Sequence, residues 1–233
     1  MKQYKILDVS VDELTYQEII KKLNESNSRV IISSVNPEIT LKCESDKILR
    51  DFINNSDFRI ADGAGIVFAV KKIYKKNIDR ITGIDLMTEI IKNYANKKVF
   101  LYGAKPKVAE QVKELLNKKY NSLIVGTVDG YEKDQNKIIN EINDSRAEIL
   151  FVGLGCPKQE YWIYENQYKL ENVKLLMGVG GSFDVLSGNV KRAPVIIQKI
   201  NLEWLYRLIK QPKRIFRQTA LAKYVIKIYR FKR

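Results

Sequence analysis

The sequence predicts an α/β fold in which helices flank a parallel β-sheet, followed by a basic helical appendage. Short apolar runs alternate with helical patterns along most of the 233 residues, and this alternation is typical of parallel βαβ units. Polar and glycine-rich segments follow these runs, at the edge where open parallel sheets bind ligands. The composition changes after Pro194. We therefore predict a Rossmann-like core over residues 1–194 and an appendage over residues 195–233.

Seven short apolar runs bounded by turn residues are predicted as strands: Tyr4–Val9, Arg29–Ser34, Phe58–Ala61, Lys98–Tyr102, Ser122–Thr127, Glu148–Val152 and Val173–Val179. The helices predicted between them include Thr15–Glu25, Ile81–Tyr94, Lys107–Lys118 and Lys133–Ile142. Asn36 followed by Pro37 marks a further helix start, because asparagine is a good N-cap and proline suits the first helical position.

Polar and glycine-rich segments follow six of the predicted strands: Ser34–Pro37, Asp62–Gly65, Gly103–Pro106, Asp129–Tyr131, Gly153–Gly155 and Gly178–Ser182. The most informative stretch is FVGLGCPKQEYWI, from Phe151 to Ile163. A strand, a Gly-x-Gly turn and a helix N-terminus together present backbone N–H groups that suit a phosphate. An ordinary strand-to-helix turn is the alternative interpretation of this stretch.

The composition excludes several kinds of chemistry. The chain has no histidine, so Ser-His or Cys-His nucleophiles, a histidine base and histidine-ligated metals are excluded. It also has no Asp-x-Asp pair, and Cys43 and Cys156 stand far apart without zinc-site spacing. A metal could still bind through carboxylates alone, but nothing in the sequence indicates one. We therefore expect no cofactor and no metal, and a general base that is an Asp or a Glu. The absence of an apolar run of membrane-spanning length and of a signal pattern predicts a cytoplasmic protein.

Most of the net charge of +14 lies in the appendage. The stretch Val190–Arg233 holds thirteen Lys and Arg against Glu203 alone, which leaves only +2 for the rest. Val195–Lys210 and Lys213–Arg233 are predicted as two helices separated by Pro212. Such cations suit nucleic acid, an anionic membrane or a phosphorylated substrate. Because no nucleic-acid motif accompanies them and Ile, Tyr and Phe do, a membrane surface is favoured.

Three residues at the first two strand ends are candidates for a site. Asp62, in RIADGAGIVFA, is the best candidate for a general base, and its alternative role is an N-cap for the helix that starts near Gly65. Asn36 caps a helix, reaches a ligand, or does both. Ser34 is as readily an ordinary strand-end residue as a substrate contact.

Further candidates lie later in the chain. Arg80, in DRITGIDL, suits a diphosphate or pairs with Asp79 or Asp85. Gln159 can donate to and accept from a sugar hydroxyl, or it is a solvated residue of a first helical turn. Glycines of the strand-end turns either contact phosphate or only turn the chain: Gly103, Gly155, Gly180 and Gly181.

The strand-end segments and the appendage together resemble the WecG/TagA/CpsF glycosyltransferases over nearly the whole chain. The blocks that carry this resemblance stand in the order of that family: SSVNPE, ADGAGIVFA, RITGIDLM, VFLYGAKP, VDGYE, FVGLGCPKQEYWI, GVGGSFDVLSGNVKRAP and NLEWLYRLIKQPKRIFR. Ser34 departs from the pattern, since many members have threonine there.

The resemblance implies a metal-independent, inverting transferase at the cytoplasmic face of a bacterial plasma membrane. Typical members move N-acetylmannosamine from its UDP donor to polyprenyl-diphosphate-linked N-acetylglucosamine, forming a β-1,4 bond in teichoic acid or surface-polysaccharide assembly. Other members use another donor, such as UDP-glucose. The family's appendage is tied to membrane targeting and to a balance between homo-oligomer and active monomer.

The resemblance also implies roles for individual residues. Asp62 matches the proposed catalytic base, Asn36 and Gln159 match pocket residues that position a sugar, and Arg80 matches an active-site arginine. Three arginines match appendage residues that close over the site and meet the diphosphate: Arg207, Arg214 and Arg217.

Two other classes of protein compete with this interpretation. A nicotinamide dehydrogenase predicts Gly-x-Gly-x-x-Gly, which neither Gly153–Lys158 nor Gly178–Phe183 matches. A non-enzymatic basic module that binds a membrane or nucleic acid predicts that Asp62 has no catalytic role.

Overall fold

The computed structural model describes residues 1–199, 203, 205–206 and 215–231. Its main sheet has six parallel strands in the spatial order β4-β3-β8-β7-β5-β6. Their bounds are Val30–Val35 (β3), Phe58–Ala61 (β4), Lys98–Gly103 (β5), Leu123–Val128 (β6), Ile149–Gly153 (β7) and Leu175–Gly178 (β8). All six were predicted within two residues at each end, and the predicted α/β class is confirmed.

The first predicted strand is wrong in its extent. The chain forms two short strands there, β1 (Gln3–Ile6) and β2 (Val9–Asp12), which pair antiparallel with Ile6 opposite Val9. Leu7 takes a left-handed φ of 54° in the turn between them. The prediction failed because the turn has no glycine or proline, and the apolar residues Leu7 and Val9 stand on both sides of Asp8.

The α-helices with described bounds before the C-terminal helix are α1 (Tyr16–Glu25), α2 (Pro37–Lys42), α3 (Lys47–Asn55), α4 (Ala64–Tyr74), α5 (Gly83–Asn93), α6 (Val108–Tyr120), α7 (Gln135–Asp144), α8 (Lys158–Asn166), α9 (Ser182–Leu186) and α10 (Val195–Lys199). Side-chain caps fix several starts, because they satisfy backbone N–H groups that the helix leaves unbonded. Thr15 and Glu18 form a capping box, and Asn36 caps α2 as predicted.

Each face of the sheet carries its own apolar core, because alternate strand residues point to opposite faces. On β5, Val99 and Leu101 belong to the core with α1, α5, α6 and α9. Phe100 and Tyr102 belong to the core with the β1–β2 hairpin, α2, α3, α4, α7 and α8. The strands therefore read as continuous apolar runs, as expected for a sheet covered on both faces.

The C-terminal helix, α11 (Ile215–Arg230), packs against α2 and α4. Tyr224 and Ile228 are fully buried one turn apart and join the second of these cores. Lys227 Nζ lies 2.6 Å from Glu44 Oε1. Of the first predicted appendage helix, the structure describes α10 and residues 203, 205 and 206. Arg207 and Arg214 lie outside the described residues, as does the side chain of Arg217. The part of the chain that the structure describes contains no helix that is long and apolar enough to cross a membrane.

Candidate active site

A cleft of about 690 Å³ opens where the carboxyl ends of β3, β4, β7 and β8 meet. Helices α2, α4 and α8 form its sides, and α11 contributes an apolar wall with Leu221, Val225 and Tyr229. Eight of the residues predicted for the site line this cleft: Ser34, Asn36, Asp62, Arg80, Gly155, Gln159, Gly180 and Gly181. Residues far apart in the chain are therefore neighbours here.

Asp62 follows β4 directly and borders the cleft. Its backbone N–H donates to the carbonyl oxygens of Val35 and Ile60, at 2.9 and 3.0 Å, and this ties the end of β4 to the end of β3. The N-cap position of α4 belongs to Gly63, so the alternative interpretation of Asp62 as that cap is wrong.

Ser34 and Asn36 face the same cleft from the end of β3 and the start of α2. A Cβ built on Gly83 would lie 3.5 Å from Ser34 Oγ and 3.9 Å from Asp62 Oδ2, so both side chains converge on the first turn of α5. Ser34 Oγ is buried without a hydrogen-bond partner among the described residues. Asn36 Oδ1 accepts from the N–H of Ile39 at 3.0 Å. Since capping uses only the carboxamide oxygen, Asn36 can cap its helix and still serve the cleft.

Gln159 is held from both ends of its carboxamide. Its Oε1 accepts from the N–H of Gly180 at 2.9 Å, and its Nε2 donates to Glu160 Oε1 at 2.8 Å. Only 4% of Gln159 is exposed, so the interpretation as a solvated first-turn residue is wrong. A Cβ on Gly178 would lie 2.5 Å from Gln159 Nε2. The glycine at the end of β8 therefore makes room for this side chain.

Arg80 is paired across the cleft with the appendage. Its Nη2 donates to Glu203 Oε2 at 2.7 Å. Asp85, which was predicted as a partner of Arg80, instead binds Arg192 through two hydrogen bonds of 2.6 Å. Burial alone would raise the pKa of Asp85, but hydrogen bonds from Arg192 and Thr82 outweigh it, so the pKa lies below its ordinary value. Since Arg192 Nε also lies 3.8 Å from Glu203 Oε1, this cluster joins α5 to the segment after α9.

Gly103 is the one predicted glycine that the structure does not bring to the cleft. It is buried at the end of β5 with a φ of +128°, and a Cβ there would lie 2.5 Å from the carbonyl carbon of Gly153. Its described surroundings are those of a close contact between two strand ends. The predicted segment Asp129–Tyr131, which follows β6, does not line the cleft either, and its Tyr131 is 65% exposed.

Several cleft residues were missed by the sequence reasoning. Glu38, Glu160 and Glu203 line the cleft, and Glu160 and Glu203 are 4% and 5% exposed. The signal for Glu160 was its place beside Gln159 in the first turn of α8. Glu203 had a weaker signal, as the only acid in a strongly basic segment. The described residues contain no group of three or more Asp, Glu or Cys side chains placed to hold a metal ion.

Comparison with known proteins identifies the family of this chain. The model of the glycosyl transferase WecG/TagA/CpsF family matches residues 4–233. The chain belongs to this family. Two relatives of this glycosyltransferase, from Staphylococcus aureus strains MRSA252 and MW2, are each 34% identical to it over an alignment of 236 residues. The alignment covers 98% of this chain and 92% of each relative, and both are named N-acetylglucosaminyldiphosphoundecaprenol N-acetyl-beta-D-mannosaminyltransferase.

The cleft of this glycosyltransferase combines a carboxylate, amide and hydroxyl side chains, and a guanidinium in one concave space. A carboxylate can take a proton from an attacking hydroxyl. Backbone N–H groups at strand-end turns and arginines can stabilise charge on a departing diphosphate. The family and the enzyme class predicted from the sequence are thus confirmed.

Proposed function

We propose that this glycosyltransferase transfers N-acetylmannosamine from UDP-N-acetylmannosamine to polyprenyl-diphosphate-linked N-acetylglucosamine, with inversion and a new β-1,4 bond. The main support is the 34% identity, over nearly the full length, to relatives whose name states this acceptor and this sugar. Asp62 at the end of β4 gives the proposal its chemistry, because it places a carboxylate in the shared cleft. The product would enter teichoic acid or a related surface polysaccharide.

In the proposed reaction an acceptor hydroxyl oxygen bonds to the anomeric carbon of the donor sugar. The bond from that carbon to the UDP oxygen breaks, and UDP leaves with the electron pair. Asp62 takes the proton of the hydroxyl. Arg80, together with Arg207, Arg214 and Arg217, is proposed to stabilise the negative charge on the diphosphate. We propose that no metal takes part, and unchanged turnover in excess EDTA would support this.

We further propose that the enzyme acts as a peripheral protein on the inner face of the plasma membrane. The outer side of α11 exposes Lys223 and Arg230 beside Ile226, and the ring of Tyr229, which lines the cleft and is 60% exposed, borders this side. Each cation close to an anionic surface contributes about 1 kcal/mol, and the apolar side chains suit the interface. Replacing both cations by Glu is expected to weaken binding to vesicles that contain anionic lipid, measured by sedimentation. Unchanged binding would contradict this part of the proposal. We also propose that the chain forms a homo-oligomer, which the sedimentation coefficient of the protein without vesicles would reveal.

The decisive experiment measures UDP release from UDP-N-acetylmannosamine with and without a lipid-diphosphate N-acetylglucosamine acceptor. We expect acceptor-dependent release by the natural chain and a loss of about 10²- to 10⁴-fold in Asp62→Asn, the usual contribution of a general base. Asp79→Asn is the matched control, because Asp79 is exposed and lies outside the cleft. Release that survives in Asp62→Asn would remove Asp62 as the base. Release only from UDP-glucose would favour the alternative donor.

A further inference from the structure

Gln159 is held in one orientation by two contacts of different kinds. Gly180 donates its backbone N–H to the carboxamide oxygen, and Glu160 accepts from the carboxamide nitrogen. Both side chains are 4% exposed, and both line the cleft. Because an amide oxygen only accepts and an amide nitrogen only donates, these partners determine which end of the group faces which way.

We propose that Glu160 is a positioning residue that makes Gln159 present an N–H donor, rather than its oxygen, to a substrate oxygen in the cleft. This inference rests on the proposed function and adds a residue to its site. An amide nitrogen carries two hydrogens that diverge in the plane of the group. One is directed to Glu160 Oε1, and the other is available to an oxygen of a sugar or diphosphate.

The buried carboxyl of Glu160 does not stabilise the fold by itself. Its Oε2 is buried and has no hydrogen-bond partner within the described part of the chain. Leaving a buried polar atom unpaired disfavours folding. The other carboxyl oxygen, Oε1, accepts from Gln159, so this contact explains an acid at this buried position better than packing does.

The surroundings of Glu160 favour the neutral acid. Burial raises its pKa, opposed by the contact with Gln159 and by the charge of Lys42, while the charge of Glu38 acts in the same direction as burial. Cys43 and Cys156 are the other titratable groups nearby. The carbonyl oxygen of a neutral carboxyl still accepts a hydrogen bond, so Glu160 can orient Gln159 in either charge state.

A double-mutant cycle tests this inference, with Glu160→Leu, Gln159→Leu and the double variant. The measured quantities are the dissociation constants of UDP-N-acetylmannosamine and UDP-glucose by calorimetry, and kcat/KM where turnover occurs. We expect Glu160→Leu to weaken binding or kcat/KM roughly tenfold, the effect of about one hydrogen bond. In the Gln159→Leu background the same change is expected to have no further effect, because a residue that acts only through Gln159 cannot act without it.

Two variants separate positioning from a general effect on the fold. Glu160→Gln keeps a carbonyl oxygen for Gln159 and is expected to restore most of the loss. Glu38→Leu removes another acid that lines the cleft, one already paired with Lys42 at 3.1 Å, and its effect is expected to add to that of Gln159→Leu. Additive effects of Glu160→Leu and Gln159→Leu, or no effect of Glu160→Leu, would overturn the inference.

A readout without ligand keeps this test separate from the proposed function. The side-chain NH2 signals of Gln159 in a ¹⁵N–¹H spectrum, assigned by their loss in Gln159→Leu, are expected to shift in Glu160→Leu and not in Glu38→Leu. An unshifted signal would overturn the inference even if no UDP-sugar binds. Failure of transfer with every donor, while these signals shift as expected, would count against the proposed function alone.

Discussion

Glycines stand at or just after the carboxyl ends of β7 and β8 and those of β5 and β6, but they make room for different groups at the two places. At the end of β8, Gly178 makes room for the buried side chain of Gln159, which bonds to the turn at Gly180. At the end of β5, Gly103 allows two backbones to meet, and the turns continue this backbone contact: Ala104 donates to the carbonyl oxygen of Gly153, and Gly130 donates to that of Ala104. A glycine at the end of a strand therefore makes room for a side chain in one case and for a second backbone in the other.

Strand order explains the difference. The ends of β4, β3, β8 and β7 are consecutive in the sheet, so their polar side chains share one cleft. β6 is an edge strand whose only neighbour in the sheet is β5. Ser34 Oγ and Glu160 Oε2, two buried atoms without a hydrogen-bond partner among the described residues, both belong to the cleft side.

The largest effect on folding is expected from Gly103→Ala. The new Cβ would lie 2.5 Å from the backbone of Gly153 at a φ of +128°, so strain and overpacking are expected to lower the free energy of unfolding by about 3 kcal/mol. Gly155→Ala is the control for backbone strain alone, because its φ is +79° and nothing lies within 4 Å of the added Cβ. Equal losses in the two variants, measured by urea denaturation, would contradict the close-contact explanation.

A smaller change in stability with a selective loss of activity is expected from Gly178→Ala. Its Cβ would meet the end of the Gln159 side chain, which can move where a backbone cannot. We expect a loss of about 1 kcal/mol in the free energy of unfolding and a roughly tenfold loss of turnover, because one positioned hydrogen bond is disturbed. If Gly178→Ala unfolds as readily as Gly103→Ala, the distinction between the two strand ends fails.

The smallest effects are expected from two acids whose pKa values move in opposite directions. Burial raises the pKa of Glu160 above its ordinary value of 4.5, whereas hydrogen bonds from Lys137 and from the backbone N–H groups of Asp134 and Lys133 lower the pKa of Glu132 to about 2. A raised pKa gives Glu160 a contribution to stability that is present below pH 4.5 and lost as the pH rises. Glu132 contributes above pH 4.5 and loses its contribution as the pH falls towards 2.

Urea denaturation of Glu160→Gln and Glu132→Gln between pH 3 and pH 8 would measure these contributions. Relative to the natural chain, Glu160→Gln is expected to gain stability as the pH rises, and Glu132→Gln is expected to lose it. Changes of the same sign in both variants would contradict the opposite surroundings of the two acids.

Much of the site was predictable because the chemistry of its residues is local. Asp62 and Asn36 each follow a recognisable strand, and Gln159 stands in the first turn of a helix after a glycine turn. Arg80 was predicted for the site and lines the cleft, but its ion pair with Glu203 was not predicted, because Glu203 is 123 residues away. The hairpin was missed since its turn has no glycine and places Leu7, a residue that rarely does so, in the left-handed conformation.

The sequence by itself determined the α/β class, the order of strands and helices, the family and the residue types at the strand ends. These follow from hydrophobic periodicity and local turn chemistry, which act over a few residues. Only the tertiary structure decided which strand ends share a cleft, that Gly103 contacts a backbone while Gly178 faces a side chain, and that Glu160 orients Gln159. Those outcomes depend on strand order and burial, which are set by packing between segments far apart in the chain.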